Sequence, residues 1–230
     1  MSKIICGDAL VVLPTLSDKS VDMIFTDPPY GIPIGQALPN GERVHVMGDD
    51  VADEVFNAFL PEAARVLRPG ACVCVCAGVG AGPDPVCAKW AVTMAAHSDL
   101  QFVQMVVWAK SLGLGWRYRS AHEMVLVAAK KGAHMRWYDT TRRVGSVLYG
   151  VSKVCASGKH PTEKPVALAA HFINLHTQPG DTVLDPFCGF GSTGVAAVRA
   201  GREFIGIELH PPYAEEAKRR IYGTLGMGPC

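Results

Sequence analysis

The 230-residue sequence predicts an α/β chain built on a doubly wound, mostly parallel sheet of seven strands. Three observations predict it. Strand-like runs alternate with helical periods along the chain, several of those runs are continuously apolar as a sheet covered on both faces requires, and a glycine-rich turn joins a strand to a helix near the C-terminal end. A composition of 49% apolar and 19% charged residues is that of a globular chain and not of a disordered one, and the length suits one domain over residues 1–230.

The first strand is expected at residues 4–6, and the second at 21–26, where "VDMIFT" is followed by Asp27, Pro28, Pro29 and Tyr30. Those prolines bar the chain from continuing the ladder or turning directly into a helix, so the acid is held at the strand's carboxyl end. Residues 52–67, "ADEVFNAFLPEAARVL", repeat apolar side chains at spacings of three and four and predict a helix that Pro61 kinks or restarts. Strands follow at 71–77, 102–108 and 124–128, then a helix at 164–176, a strand at 183–185, a helix at 192–200, a strand at 204–207 and a helix at 211–223 that closes with bases before Gly223. Residues 31–50 and 131–159 fit neither period. At four to six residues for an ordinary connection, both are long enough to be insertions that reach a partner.

Cys72, Cys74 and Cys76 alternate along the strand at 71–77 and so share one face, and the other five of the eight cysteines stand alone. Metal-binding pairs leave two to four residues between ligands, so no metal site is expected. The most apolar run, residues 71–82, is shorter than the roughly 18 to 20 residues a membrane helix needs. "MSKIICGDAL" enters a strand at once, without the apolar region or cleavage site of a signal peptide, and cytoplasmic residence is the expectation.

Net charge is +1, but it is unevenly spread. Residues 108–159 hold ten basic side chains against two acids, a segment of +8 that leaves the remainder at −7. Trp108, Trp116, Tyr118, Trp137, Tyr138 and Tyr149 are interleaved with those bases, a mixture suited to phosphates and unstacked bases. Arg117, Arg119, Arg136, Arg142, Arg143 and Lys153 are the candidate contacts to nucleic acid. A solvated basic face with structural aromatics is the plainer reading.

"DPFCGFGSTG", residues 185–194, spells GxGxxG with Gly189, Gly191 and Gly194, and Glu208 stands nineteen positions beyond Gly189, where a ribose-binding acid is expected. A nicotinamide-dependent dehydrogenase and an S-adenosylmethionine enzyme both fit that fingerprint. Only one strand follows the glycine turn, so the sheet has to be completed by strands from the N-terminal half, which brings the "DPPY" corner to the same ligand-binding edge.

The blocks together resemble the amino-methylating DNA methyltransferases, the N-4/N-6 family, in the circularly permuted order called the β class. "CGDALVVLPTLSDKSVDMIFTDPPYG" resembles the catalytic block, "HPTEKP" and "DPFCGFGSTG" the cofactor block, and "LPEAARVLRPG" and "WRYRSAHEMVLVAAKKG" further core segments. The resemblance implies a Rossmann-like methyltransferase sheet with the catalytic half first and the cofactor half last. It implies S-adenosylmethionine as cofactor, double-stranded DNA as partner and a flipped base as target, with adenine N6 favoured over cytosine N4 because the corner begins with Asp. Asp27 and the Pro28 carbonyl would accept the hydrogens of the target amine, Pro29 would stiffen the corner, and Tyr30 would stack on the base. Asp8, Ala9, His160, Thr162, Lys164, Asp185, Phe187, Gly189, Gly191, Ser192 and Glu208 would hold the cofactor, with Glu208 on the ribose, Asp8 near the adenine amino group, and Thr162 and Lys164 at the cofactor carboxylate.

Phe190 and His210 depart from the family pattern, where a small residue and an acid or amide are common. A homodimer embracing DNA is compatible with a chain that has little length for a separate recognition domain. The alternatives are an RNA or protein-amide methyltransferase, an NAD-dependent dehydrogenase, and a non-catalytic nucleic-acid-binding module.

Overall fold

The computed structural model describes residues 2–30, 36–37, 43–44, 52–78, 86–111, 118–152 and 163–226. In chain order these hold β1 (Lys3–Cys6), α1 (Ala9–Val12), a 3-10 turn (Leu13–Thr15), β2 (Val21–Thr26), β3 (Gln36–Ala37), β4 (Arg43–Val44), α2 (Ala52–Val66), β5 (Leu67–Ala77) and α3 (Val86–Ala96). Then come β6 (Leu100–Ala109), β7 (His122–Lys130), β8 (Val147–Leu148), α4 (Val166–His176), β9 (Thr182–Asp185), α5 (Ser192–Arg199), β10 (Glu203–Glu208) and α6 (Pro211–Thr224).

The main sheet runs β1-β10-β9-β2-β5-β7-β6-β8, and β3 pairs separately with β4. From β1 to β5 every pairing is parallel; β7 alone runs the other way, antiparallel to both β5 and β6. Seven of the eight strands are those the sequence predicts. The eighth, β8, comes from the aperiodic segment after residue 131 and pairs with β6 through Val107 and Trp108. Two residues carry no detectable period, which is why the sequence hid it.

Helices cover both faces, and the alternation along β5 sorts its side chains between them. Cys72, Cys74 and Cys76 join Met23, Phe25, Phe172, Ile173 and Ile221 under α4, α5 and α6, while Val73, Val75 and Ala77 join Ile24, Phe56, Phe59, Leu60, Trp90 and Met94 under α2 and α3. Burial pushes the Cys72 thiol up to about 12 and those of Cys74 and Cys76 well above the ordinary range, so all three are inert packing groups. Removing one of the fully buried rings, Phe56 or Phe59, would cost ~3 to 5 kcal/mol.

Pro61 lies inside α2 without ending it. Strand β5 follows that helix at once, and its register with β2 jumps from Leu67 to Cys72, because Pro69 and Gly70 (φ +79°) form an irregular entry. Helix α3 leaves no clear period in the sequence. Its buried Val86, Trp90 and Met94 are spaced for a helix, but Val92 on the outer face is 70% exposed and alanines fill the sides, blurring the contrast. Among the described residues, no helix is long and apolar enough to cross a membrane.

Candidate active site

Parallel register brings the carboxyl ends of β1, β10, β9 and β2 to one edge. Cys6 lies opposite Glu208, Gly206 opposite Asp185, and Ile24 opposite Leu184, so Asp8, Glu208, Asp185 and Asp27 follow one another along that edge. The start of antiparallel β7 lies on the same side, since Ala77 at the end of β5 faces Met124. Two regions of this edge differ in construction.

The glycine-rich region is built from backbone. Gly189 and Gly191 take left-handed conformations (φ +50° and +78°), which let the chain turn sharply from β9 into α5. A Cβ on Gly194 would fall 2.3 Å from Ile221 and 2.6 Å from Phe204, so this third glycine is what lets α5 sit against β10 and α6. At Gly189 an added Cβ would meet no protein atom within 4 Å: the turn faces open space. Glu208 closes this region by accepting the Gly189 N–H at 2.8 Å and the His210 N–H at 2.9 Å, which leaves its carboxylate further lone pairs for hydroxyl donors.

Asp185 beside it is of another kind. Thr26 donates to one oxygen at 2.7 Å, Thr193 to the other at 2.6 Å, and the Phe187 N–H lies 3.2 Å away, so this buried carboxyl ties β2, β9 and α5 together. Burial pushes it up to about 7, against the pull of those donors.

The Asp27 region is built from charge. Pro28 is buried and Pro29 half-buried, holding Asp27 at the end of β2. The Tyr30 hydroxyl donates to Asp27 Oδ1, and Lys164 Nζ donates to Oδ2 at 2.6 Å. Lys164 is also 3.4 Å from Glu123 and 5.1 Å from the centre of the Tyr30 ring, and Lys110 donates to Glu123 at 2.5 Å. The result is a line of alternating charge, Asp27, Lys164, Glu123, Lys110. Burial alone would lower the Lys164 pKa, but Asp27 and Glu123 outweigh it and hold the ammonium well above its ordinary value. Burial likewise pushes Glu123 up, and Lys164 with Lys110 brings it below the usual carboxylate range. Lys164 and Glu123 are therefore both charged at neutral pH.

The chain has known relatives. The DNA methylase family model matches residues 21–219. The type II methyltransferase M2.DpnII of Streptococcus pneumoniae is 30% identical over 94% of this chain and 87% of its own length. The chain belongs to the DNA methylase family. Among solved structures, the S-adenosylmethionine complex of M1.HpyAVI aligns with a TM-score of 0.72 at 26% identity, over 96% of the methylase and 99% of that chain. PvuII DNA methyltransferase, which is cytosine-N4-specific, aligns at 0.76 and 20% identity over 95% and 86% and shares the fold.

Of the residues expected to hold a cofactor, the methylase brings Asp8, Ala9, Asp185, Phe187, Gly189, Gly191, Ser192 and Glu208 to this edge. Their local duties are now visible. Asp8 caps α1 by accepting the Leu10 N–H at 2.8 Å, Ala9 is buried, and Ser192 donates to Glu163, which also pairs with Arg220 at 2.8 Å. Lys164, its side chain largely buried, pairs with Asp27. His160 and Thr162 lie outside the described residues. The two departures, Phe190 and His210, meet on one ring: Tyr213 lies 4.8 Å from Phe190 and 4.4 Å from His210.

The basic segment divides. Arg136 does not reach the site edge, because its guanidinium pairs with Asp22 at 2.6 Å at the opposite end of β2. Trp137 packs on His176 at 5.3 Å, the Trp108 indole donates to the Val151 carbonyl at 2.8 Å, and β8 joins the sheet, so residues 131–152 are held to the body at several points. Arg142 and Arg143 are exposed on a turn that Asp139 caps through the Arg142 N–H. Arg119 is exposed next to the start of β7, and Arg117 and Lys153 lie outside the described residues, as does most of 31–50. Sequence reasoning missed Glu123, Lys110 and Asp22. A lone acid opening an otherwise apolar strand was the available signal for Glu123.

Proposed function

We propose that the methylase transfers a methyl group to the exocyclic amino nitrogen of a base flipped out of duplex DNA, with adenine N6 as the preferred target. The observation that carries this reading is Asp27, a carboxylate fixed by two prolines beside the open glycine turn on one sheet edge. Such an amine is a poor nucleophile because its lone pair is delocalised into the ring. Asp27 and the Pro28 carbonyl would accept its two hydrogens and draw the nitrogen toward a tetrahedral form. Tyr30, backed by Trp90 at 6.0 Å, would stack on the base. Strand β2 and the proline corner hold these acceptors in place before the reaction, so little reorganisation is left to the transition state.

S-adenosylmethionine, the cofactor the family uses, supplies when bound a methyl group on a positively charged sulfur that a nitrogen lone pair takes in one displacement. The open space at Gly189 and the remaining lone pairs of Glu208 fit such a molecule, with Glu208 on the ribose and the Gly189–Gly191 turn and Phe187 toward the methionine. Asp8 would reach the adenine amino group. The order of the blocks supports the permuted arrangement, and Arg119, Arg142 and Arg143 would meet phosphates. A second chain embracing the duplex would widen that surface.

The test is to treat DNA with the protein and S-adenosylmethionine and to sequence it with detection that distinguishes methylated adenine from methylated cytosine. Methyl groups on adenine N6 at a defined site are expected. Cytosine N4 methylation would replace the preference, and modification of RNA or protein alone would overturn the reading.

A further inference from the structure

Both oxygens of Asp27 are already occupied, one by the Tyr30 hydroxyl and one by Lys164 at 2.6 Å. Each oxygen keeps a second lone pair, but a target amine that approaches Oδ2 has to share it with a full ammonium and so competes with Lys164 for it. Tyr30 belongs to the same corner as Asp27 and leans on Trp90. Lys164 does not: it enters from the segment before α4, and a second carboxylate lies within its reach. That carboxylate is Glu123, whose Oε1 accepts from Lys110 at 2.5 Å. Its Oε2 is buried with no hydrogen-bond partner among the described residues, and Lys164 stands 3.4 Å away, an ionic contact short of a formed bond. A buried carboxylate oxygen held only by a long ionic contact has a charged hydrogen bond still to gain, and the cation that could supply it is the one bound to Asp27.

We propose that Glu123 is a positioning residue that offers Lys164 a second seat: as the target amine takes Asp27 Oδ2, the ammonium moves onto Glu123 Oε2. This rests on the reading that Asp27 binds the amine. The exchange conserves charge. Two carboxylates and two ammonium groups remain together throughout, no proton is transferred, and Lys164 needs to close on Glu123 by only about 0.6 Å to reach an ordinary charged hydrogen-bond length. Without the seat, releasing Asp27 would strand an ammonium in a site where burial penalises it. Lys164 thus satisfies Asp27 before substrate arrives and gives way when it does. Lys110, anchored by its backbone N–H to the Ala121 carbonyl at 2.6 Å, holds Glu123 by its other oxygen and keeps Oε2 turned to the site.

Single-turnover methyl transfer at saturating S-adenosylmethionine tests the exchange. Glu123→Gln keeps the shape and removes the charge, so Lys164 stays on Asp27 and the rate falls by about tenfold or more. Adding Lys164→Met removes the competitor, and the double variant is expected to be at least about threefold faster than Glu123→Gln alone. Cofactor affinity of Glu123→Gln, read by equilibrium binding, should match the wild type. A static structural role predicts the opposite, losses that accumulate in the double variant, and that result overturns the proposal. Should Glu123→Gln not fold by thermal melting, Glu123→Asp replaces it: the shortened side chain leaves the seat out of reach, and the same partial reversal by Lys164→Met is required. A wild-type protein that methylates no DNA, or an Asp27→Ala variant as active as wild type, would sink the reading of Asp27 itself, whereas accumulating losses in an active enzyme sink only the exchange.

Discussion

Asp22 and Asp27 stand five residues apart at opposite ends of β2, and both neutralise cations, yet one is a staple and the other a site. Asp22 is almost fully buried and collects Arg68 and the Thr182 N–H on one oxygen and Arg136 on the other, so three separate elements are fastened to the start of the strand. Burial pushes its pKa up, but those donors outweigh it and hold the carboxyl below its usual range. Among the described residues, Asp27 accepts from a tyrosine of its own corner and from Lys164, and that lysine has another carboxylate to turn to. The lesson is that an ion pair becomes structural when planar forks and a backbone group from several elements converge on one carboxylate, even though Arg136 also lies 3.8 Å from Asp181. It becomes usable when one donor is a single-point ammonium with an alternative.

The largest expected effect breaks the comparison at the site end. Asp27→Ala should lower methyl transfer by about 10²- to 10³-fold, the cost of losing one preorganised acceptor at the reacting centre, while cofactor affinity stays near wild type. Equal loss of both, measured by single turnover and equilibrium binding, would mean that Asp27 holds the cofactor instead.

At the staple end the consequence should be the reverse. Asp22→Ala is expected to destabilise the fold by about 2 kcal/mol, less than the ~3 to 5 kcal/mol of a fully buried pair because Arg68 is 41% exposed and Arg136 27%. Denaturant unfolding reads this. A variant with wild-type stability and lost methyl transfer would show that the two ends had been assigned the wrong way round.

Asp185 sharpens the contrast through pH. Its folded pKa, about 7, lies above the ordinary carboxyl value of 3.8, so between those two values the unfolded chain loses a proton that the folded chain keeps. Stability from this group is therefore greatest below about pH 4 and falls as pH rises toward about 7. Asp22 contributes the opposite slope at lower pH, its stabilisation being lost as pH falls through its depressed folded pKa. Melting temperatures of Asp185→Asn across pH 4 to 7 should lack the decline; an unchanged profile would assign it to other groups.

The smallest effect concerns the surface. Replacing both Arg142 and Arg143 with Gln should make the dependence of log K on log salt shallower by about 0.9 for each phosphate that an arginine no longer neutralises, with cofactor affinity unchanged. Arg136 belongs to the staple, and an Arg136→Gln variant should show its effect in unfolding more than in that slope. An unaltered slope in the double variant would make Arg142 and Arg143 merely solvated, and weakening confined to one DNA sequence would make them readers of bases.

Much of this is legible in the chain alone. The period-2 and continuous apolar runs placed seven strands, because the side chains of a buried strand are constrained locally and leave a local signal. The same is true of the turn at Gly189, Gly191 and Gly194, and of the proline corner after Asp27, since left-handed backbone and a blocked N–H restrict which residues can stand there. What left no such signal was β8, too short for a period, and α3, whose outer face carries Val92 and alanines beside a single lysine.

The alternation of elements, the glycine-rich turn and the acids that end strands at one sheet edge, Asp27, Asp185 and Glu208, follow from patterns within a few residues, whereas Glu123 does not. Which partner each charge meets is set by the fold. Lys164 meets Asp27 across 137 positions, Arg136 meets Asp22 across 114, and Thr26 meets Asp185 across 159. Pairing at such separations is set by strand order and register, which bring distant side chains within hydrogen-bond reach, and no local spacing encodes it. The fold thus makes Arg136 a staple and Lys164 the movable partner of the candidate catalytic acid.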